Sequence, residues 1–226
     1  MLGALRKLKN MAVADRSAYR RLPLGLIRGC VYPINFRHDT RLYLGLAERE
    51  IRPIVRSAVR KGDRCYDIGA KDGYYTLALA RMAAPGWVCA VEADHDSADR
   101  LTETLGLNQQ IDSKIVVVKA TIGDRVEEVT GAETLDHLVL ARGFEPPDFI
   151  KVDIEGSEGA FLAGAAEVLA RCHPRMIIET HSEPLERQCV EFLARLGYRV
   201  RIVPQASWFR ELRPLAHNQW LFAESA

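Results

Sequence analysis

Asp67-Ile68-Gly69-Ala70-Lys71-Asp72-Gly73-Tyr74-Tyr75 follows directly on a short apolar run, residues 64–68, and opens a helical pattern over residues 74–82. A strand that turns through glycine into a helix begins a βαβ unit. Glycines there permit a tight turn and a close backbone approach to a ligand. The spacing is G-x-x-x-G, which differs from the G-x-G-x-x-G of dinucleotide sites. A dinucleotide sets its pyrophosphate on the helix N-terminus, and Asp67 and Asp72 would repel it.

Outward from this loop, short apolar runs alternate with longer helical patterns, the signature of a parallel sheet built from βαβ units. Strands are expected at residues 64–68, 88–91, 115–118, 149–152, 176–179, 199–203 and 219–223. Helices are expected at 74–82, 97–107, 157–170 and 185–196, with Gly197 capping the last. The run 219–223 follows a strand without a helix between, so it must pair antiparallel with its predecessor or a near neighbour. The expected fold is therefore α/β: a Rossmann-like, seven-stranded, mostly parallel sheet with an antiparallel last strand, the class I methyltransferase layout. The second strand ends at Glu92, about 20 residues past the loop, where an acid accepts hydrogen bonds from ribose hydroxyls. Asp67, Gly69, Ala70, Asp72, Gly73 and Glu92 together suit an adenosine ligand that carries ammonium and sulfonium cations. S-adenosylmethionine is such a ligand. An ordinary βαβ turn with scattered acids is the alternative.

The second informative stretch is Pro147-Asp148-Phe149-Ile150-Lys151-Val152-Asp153-Ile154-Glu155-Gly156-Ser157-Glu158. A strand here ends in two acids one residue apart, at the carboxyl edge where open α/β sheets bind ligands. Glu158 reads as a first-turn acid favoured by the helix dipole. This stretch, the loop from Asp67 to Ala70, Thr134-Leu135-Asp136, Glu179-Thr180-His181 and the closing Asn218-Gln219-Trp220-Leu221-Phe222-Ala223 resemble the FkbM family of methyltransferases. The resemblance spans most of residues 35–223, and Lys-x-Asp-x-Glu-Gly-x-Glu is its most specific mark. It implies a class I fold, S-adenosylmethionine as methyl donor, and O-methylation of a hydroxyl on a sugar, glycan or natural product. Two departures stand out. Lys71 replaces the family's frequent Asn and is expected to point to solvent, and residues 121–134 are short.

An alcohol needs help to lose its proton before it can accept a methyl group. Asp153, Glu155, His181 and His217, all near strand ends, are the candidates. His181 follows a strand end beside Asp153, and a neutral imidazole is a base near pH 7. The plainer role for His181 is a hydrogen bond to a loop carbonyl. Asp153, Glu179 and His181 also form a donor set suited to magnesium or manganese. The spacing alone does not separate a metal from a metal-free acid/base site. His217, just before the final strand, reads first as a structural histidine, and Trp208 and Phe209 read first as packing residues, with a sugar-stacking role for the two aromatics as the alternative.

Composition sets the frame. With 48% hydrophobic and 27% charged residues among 226, the chain matches an ordinary globular protein with one main core. Residues 1–64 carry fifteen Lys or Arg against five Asp or Glu, and the remainder is acidic by nearly as much. The reading is a basic, irregular extension over 1–46, helical near residues 2–8, ahead of a cofactor-binding domain over 47–226. Residues 42–59 look like an amphipathic helix interrupted or started at Pro53. The basic leader suits a phosphate- or lipid-linked acceptor, or a membrane surface, or it is only a solvated face. Five scattered cysteines without a C-x-x-C pair point to a reducing compartment and away from zinc. Without a signal-like leader or a run near ~20 apolar residues, the expectation is cytoplasmic, peripheral to a membrane at most. Two other functions compete: an RNA methyltransferase gripping its substrate through the leader, and a silent cofactor-binding module. No RNA-binding motif supports the first, and the intact acids argue against the second.

Overall fold

Side chains along Arg64–Ile68 alternate between two apolar environments. Cys65 packs with Phe149, Ile177 and Phe222, whereas Tyr66 and Ile68 pack with Ile150, Val152 and Ile178. A strand buried on both faces needs helices on both sides, and that requirement builds the molecule. The computed structural model describes residues 14–204 and 218–225. The expected helix near residues 2–8 and the side chains of Trp208, Phe209 and His217 lie outside them.

In chain order, β1 (Ala18–Arg21) and β2 (Val31–Ile34) form an antiparallel hairpin, followed by short helices α1 (Thr40–Tyr43) and α2 (Arg52–Ala58). Then come β3 (Arg64–Ile68), α3 (Tyr74–Ala83), β4 (Gly86–Glu92), α4 (His95–Gly106) and β5 (Ser113–Lys119). A small parallel pair, β6 (Thr121–Ile122) with β7 (Ala132–Glu133), precedes a π-helical turn at His137–Ala141. The chain continues as β8 (Phe149–Val152), α5 (Glu158–Ala163), α6 (Ala166–Cys172), β9 (Arg175–Thr180), α7 (Glu183–Arg195), β10 (Tyr198–Val203) and β11 (Gln219–Ser225). The main sheet has seven strands in the order β10-β11-β9-β8-β3-β4-β5. Neighbours among β3, β4, β5, β8 and β9 run parallel, while β11 inserts antiparallel between β9 and β10. This is the expected class I layout, and Gly197 does follow the last helix with φ +81°. All five cysteines are free. Among the described residues no helix is long and apolar enough to cross a membrane.

Three local expectations need correction. The region read as an irregular extension holds the β1–β2 hairpin. Leu22, Ile27 and Ile34 are at most 1% exposed and share a core with Leu77 and Val88. Ile27→Ala is therefore expected to destabilise the whole domain by roughly 2–5 kcal/mol in urea unfolding. A change within 0.5 kcal/mol would make this segment an appendage. Second, the helix expected over 42–59 is two short ones, with Pro53 in the first turn of α2, where its missing N–H costs nothing.

Third, the helix expected over 157–170 breaks at Gly164 and Ala165. A Cβ on Gly164 would stand 1.9 Å from the Gly123 carbonyl oxygen, so the chain passes where only glycine fits. Ala165 has no side chain able to cap α6. Asp136 supplies the cap from a distance, accepting from Glu167 N at 3.0 Å and Val168 N at 2.8 Å.

Candidate active site

The carboxyl ends of β3, β4 and β8 meet at one edge of the sheet, and the loop after β3 is folded onto it. Gly69 and Gly73 both have positive φ, at +76° and +94°. A Cβ on Gly69 would lie 2.0 Å from the Asp153 carbonyl oxygen, so only glycine lets the loop cross the end of β8. Gly69 N and Ala70 N donate to Val91 O at 2.9 and 3.1 Å. Glu92 locks the next step: Oε2 accepts from Lys71 N at 2.7 Å and Oε1 from Asp94 N at 2.8 Å. Each oxygen keeps a further lone pair. Asp94 in turn caps α4 through Ser97 N.

Gly69, Lys71, Glu92, Ile122, Asp153 and Glu155 line one cavity of about 250 Å3 at this edge. The remaining expected loop residues stand behind it. Asp67 is fully buried, accepting from Thr76 Oγ1 at 2.7 Å and lying 3.3 Å from Lys151 Nζ. Ala70 packs against Ala90 and Leu101, and Gly73 leaves room for Leu101 at the start of α3. Asp72, expected to face a cation on the ligand, is instead paired with Arg100 Nε at 2.8 Å and is absent from the wall. Lys71, expected to point to solvent, has a side chain 59% exposed, and its ammonium also stands 3.7 Å from Asp153 and 3.8 Å from Glu155.

Beneath the cavity lies a buried charge network. Lys151, 2% exposed, donates to Gly69 O at 3.0 Å, sits 3.6 Å from Asp153 Oδ2 and rests over the Tyr75 ring. Burial opposes its charge, but Asp67 and Asp153 outweigh burial and hold its pKa above the usual lysine value. Burial likewise works to raise the Asp153 carboxyl. Lys151, Lys71 and His181 outweigh it and keep the pKa below the ordinary range.

On the other side of Asp153 stands His181, its side chain 6% exposed. Its Nδ1 pairs with Glu158, which is 0% exposed. Its Nε2 faces Asp153 Oδ1 at 3.7 Å and Glu179 Oε2 at 3.8 Å. Burial lowers the imidazole pKa, but the Glu158 hydrogen bond and the charges of Glu158, Glu179 and Asp153 raise it further, leaving it above its usual value. Glu158, read from sequence as a helix-dipole acid, is thus the partner that orients His181. The one signal in the sequence was an acid at a helix start just after a strand-end site. Asn218 Nδ2 donates to Glu179 Oε1 at 3.2 Å, bringing the start of β11 to the cluster.

A larger hollow of about 590 Å3, lined by Arg21, Arg28 and Arg81, also borders Asp112, just before the start of β5. It lies at the amino ends of the strands, the wrong edge for chemistry in such sheets.

A glycine loop between strand and helix, an acid closing the second strand and a paired acid site closing β8, on this strand order, define a class I methyltransferase. The model of the methyltransferase FkbM domain matches residues 67–200, and the chain belongs to that family. The structure is similar to a methyltransferase FkbM from Methylobacillus flagellatus KT, with 21% identity and a TM-score of 0.58 over 72% of this chain. The match spans 43% of that longer protein. It is also similar to an S-adenosylmethionine-dependent O-methyltransferase from Thermotoga maritima, at 17% identity, TM-score 0.52, 79% of this chain and 65% of the other. Fibrillarin of Aeropyrum pernix, with natively bound S-adenosyl-L-methionine, matches at 16% identity, TM-score 0.53, 74% of this chain and 68% of its own. No curated protein matches the sequence.

Proposed function

We propose that this chain is an S-adenosylmethionine-dependent O-methyltransferase acting on a hydroxyl of a sugar, glycan or natural product. The observation that carries the reading is the convergence of Gly69, Glu92 and Asp153 on one cavity at the carboxyl edge of the sheet. The residues fit the cofactor. Val91, Ala120, Ile122 and Ile154 give an apolar slot for a flat ring, and Glu92 offers acceptors for ribose hydroxyls. The other acids on the wall favour a cationic ligand over a phosphate.

S-adenosylmethionine supplies a methyl group already activated on sulfur, so the O–C bond forms as the C–S bond breaks. The chain must hold the acceptor oxygen in line and remove its proton. Glu92 fixes the cofactor edge of the cavity by tying Lys71 and Asp94 together. Lys71 spans Asp153 and Glu155 and helps to hold the Asp153 pKa down. Asp153, Glu155 and His181 handle the acceptor proton, with Glu158 setting the imidazole's orientation. The wall carries three carboxylates, Glu92, Asp153 and Glu155, against one lysine, Lys71. That balance disfavours a nucleic-acid backbone at this mouth.

Glu92→Ala tests the cofactor assignment. The variant loses the ribose acceptors and two loop anchors, and calorimetry should show S-adenosylmethionine binding weakened by about 1.5–3 kcal/mol. Unchanged affinity would remove Glu92 from the cofactor site.

A further inference from the structure

We propose that Asp153, Glu179 and His181 form a site for one divalent cation of the Mn2+ or Mg2+ type, set against the wall of the cofactor cavity. The inference deepens the function proposed above, and its chemical use rests on that function. Four observations converge on it.

The first is geometry. His181 Nε2 lies 3.7 Å from Asp153 Oδ1 and 3.8 Å from Glu179 Oε2, and one donor atom from each residue falls within 4.8 Å of the other two. Donors that share an ion at about 2.1 Å stand roughly 3–4 Å apart, so little movement is needed. The second is an unpartnered atom. Asp153 is 9% exposed, its Oδ2 is turned to the two lysines, and its Oδ1 faces His181 without a hydrogen bond. A buried carboxylate oxygen left in this way normally has a partner.

The third is the histidine's far side. Nδ1 is held by the fully buried Glu158, which presents Nε2 to the cluster. Metal-ligating histidines are held in this way, by a carboxylate on the ring nitrogen that does not touch the metal. The fourth is charge. Three buried carboxylates surround one imidazole, and Lys151, the nearest buried cation, is shared with Asp67. A dication balances the remainder. Two oxygens and one imidazole, with no thiolate, form a donor set for hard cations.

Asp153 belongs to both the cluster and the cavity wall, so a cation held by the cluster would stand next to that wall. Held there, the cation would supply positive charge that lowers the pKa of an acceptor hydroxyl at that wall. The O–H bond breaks with its proton passing to Glu155, whose side chain is 70% exposed and returns the proton to water. The oxygen's electron pair then forms the O–CH3 bond as the C–S bond of the donor breaks onto sulfur. No electron is gained or lost by the cation.

The test is Mn2+ uptake by the full chain after stripping with chelator, followed through the electron paramagnetic resonance of free Mn2+. One Mn2+ per chain is expected. Asp153→Asn and His181→Ala should each weaken uptake at least about tenfold, and Glu158→Gln by about 10–100-fold. Asp99→Asn, a surface carboxylate paired with Lys119, should leave it unchanged. Circular dichroism of each variant separates lost ligation from lost folding, and the conservative Glu158→Gln keeps the test decisive if a ligand variant fails to fold. A wild-type sample that binds S-adenosylmethionine but takes up no Mn2+, or equal uptake by all folded variants, overturns the cation site and leaves the methyltransferase reading standing. Mn2+ uptake that depends on these residues in a chain without cofactor affinity supports the site and sinks the methyltransferase reading.

Discussion

His181→Ala is expected to lower single-turnover methyl transfer by about 10²–10⁴-fold, the range for losing a group that manages a proton in the transition state. Cofactor affinity should stay near the wild-type value, because His181 is not on the cavity wall. Asp153→Asn should lose a comparable amount. The double variant should lose little more than either single one, since groups that act as a unit are not additive. The geometry makes the two residues one unit. Asp153 Oδ1 faces His181 Nε2, and Glu158 fixes the ring from behind. The expectation holds whether the pair passes a proton directly or through a bound cation, because either route needs both groups. Near-normal transfer by His181→Ala would remove the cluster from the chemistry. Multiplicative losses in the double variant would separate the two residues.

The second large effect is on stability. Lys151→Met is expected to cost roughly 3–5 kcal/mol, the cost of leaving a buried ion without its partner. Asp67 is 0% exposed, and Lys151 Nζ is its cationic neighbour at 3.3 Å. Asp67→Asn combined with Lys151→Met should recover part of the loss, because the stranded charge is then gone. The pH dependence has a definite sign. Burial already holds the folded-state pKa of Asp67 above its unfolded value near ~3.9 despite Lys151, and loss of the lysine raises it further. The variant's deficit is then smallest in acid, where the carboxyl is protonated in both states, and grows as pH rises through that value. Urea unfolding at several pH values measures this. A deficit under about 1 kcal/mol that does not change with pH would mean that Lys151 does not offset the burial of the Asp67 carboxyl.

These charged groups mark where the sequence stops being readable. The strands were legible because burial on both faces demands continuous apolar runs: the expected spans 64–68 and 149–152 coincide with β3 and β8. The antiparallel β11 followed from a missing crossover helix. The placement of the loop glycines and Glu92 at the carboxyl edge of the sheet was legible because each sits at a fixed offset from a strand end. What was hidden depends on contacts distant in sequence. The break at Gly164 is set by the Gly123 carbonyl and by Asp136, neither of which alters the helical period of residues 157–170. The role of Glu158 depends on His181, brought to it by the β8–β9 pairing. Asp72 left its expected direction because Arg100 of α4 captures it. The basic charge of the first residues masked the apolar positions Leu22, Ile27 and Ile34, which build a layer of the core.

The cavity at the ends of β3, β4 and β8 is the proposed seat of S-adenosylmethionine. Isothermal titration calorimetry of the wild-type chain with S-adenosylmethionine tests it most directly. Saturable binding at one site per chain is expected. A sample with intact circular dichroism and cooperative unfolding that shows no saturable binding of S-adenosylmethionine would contradict it.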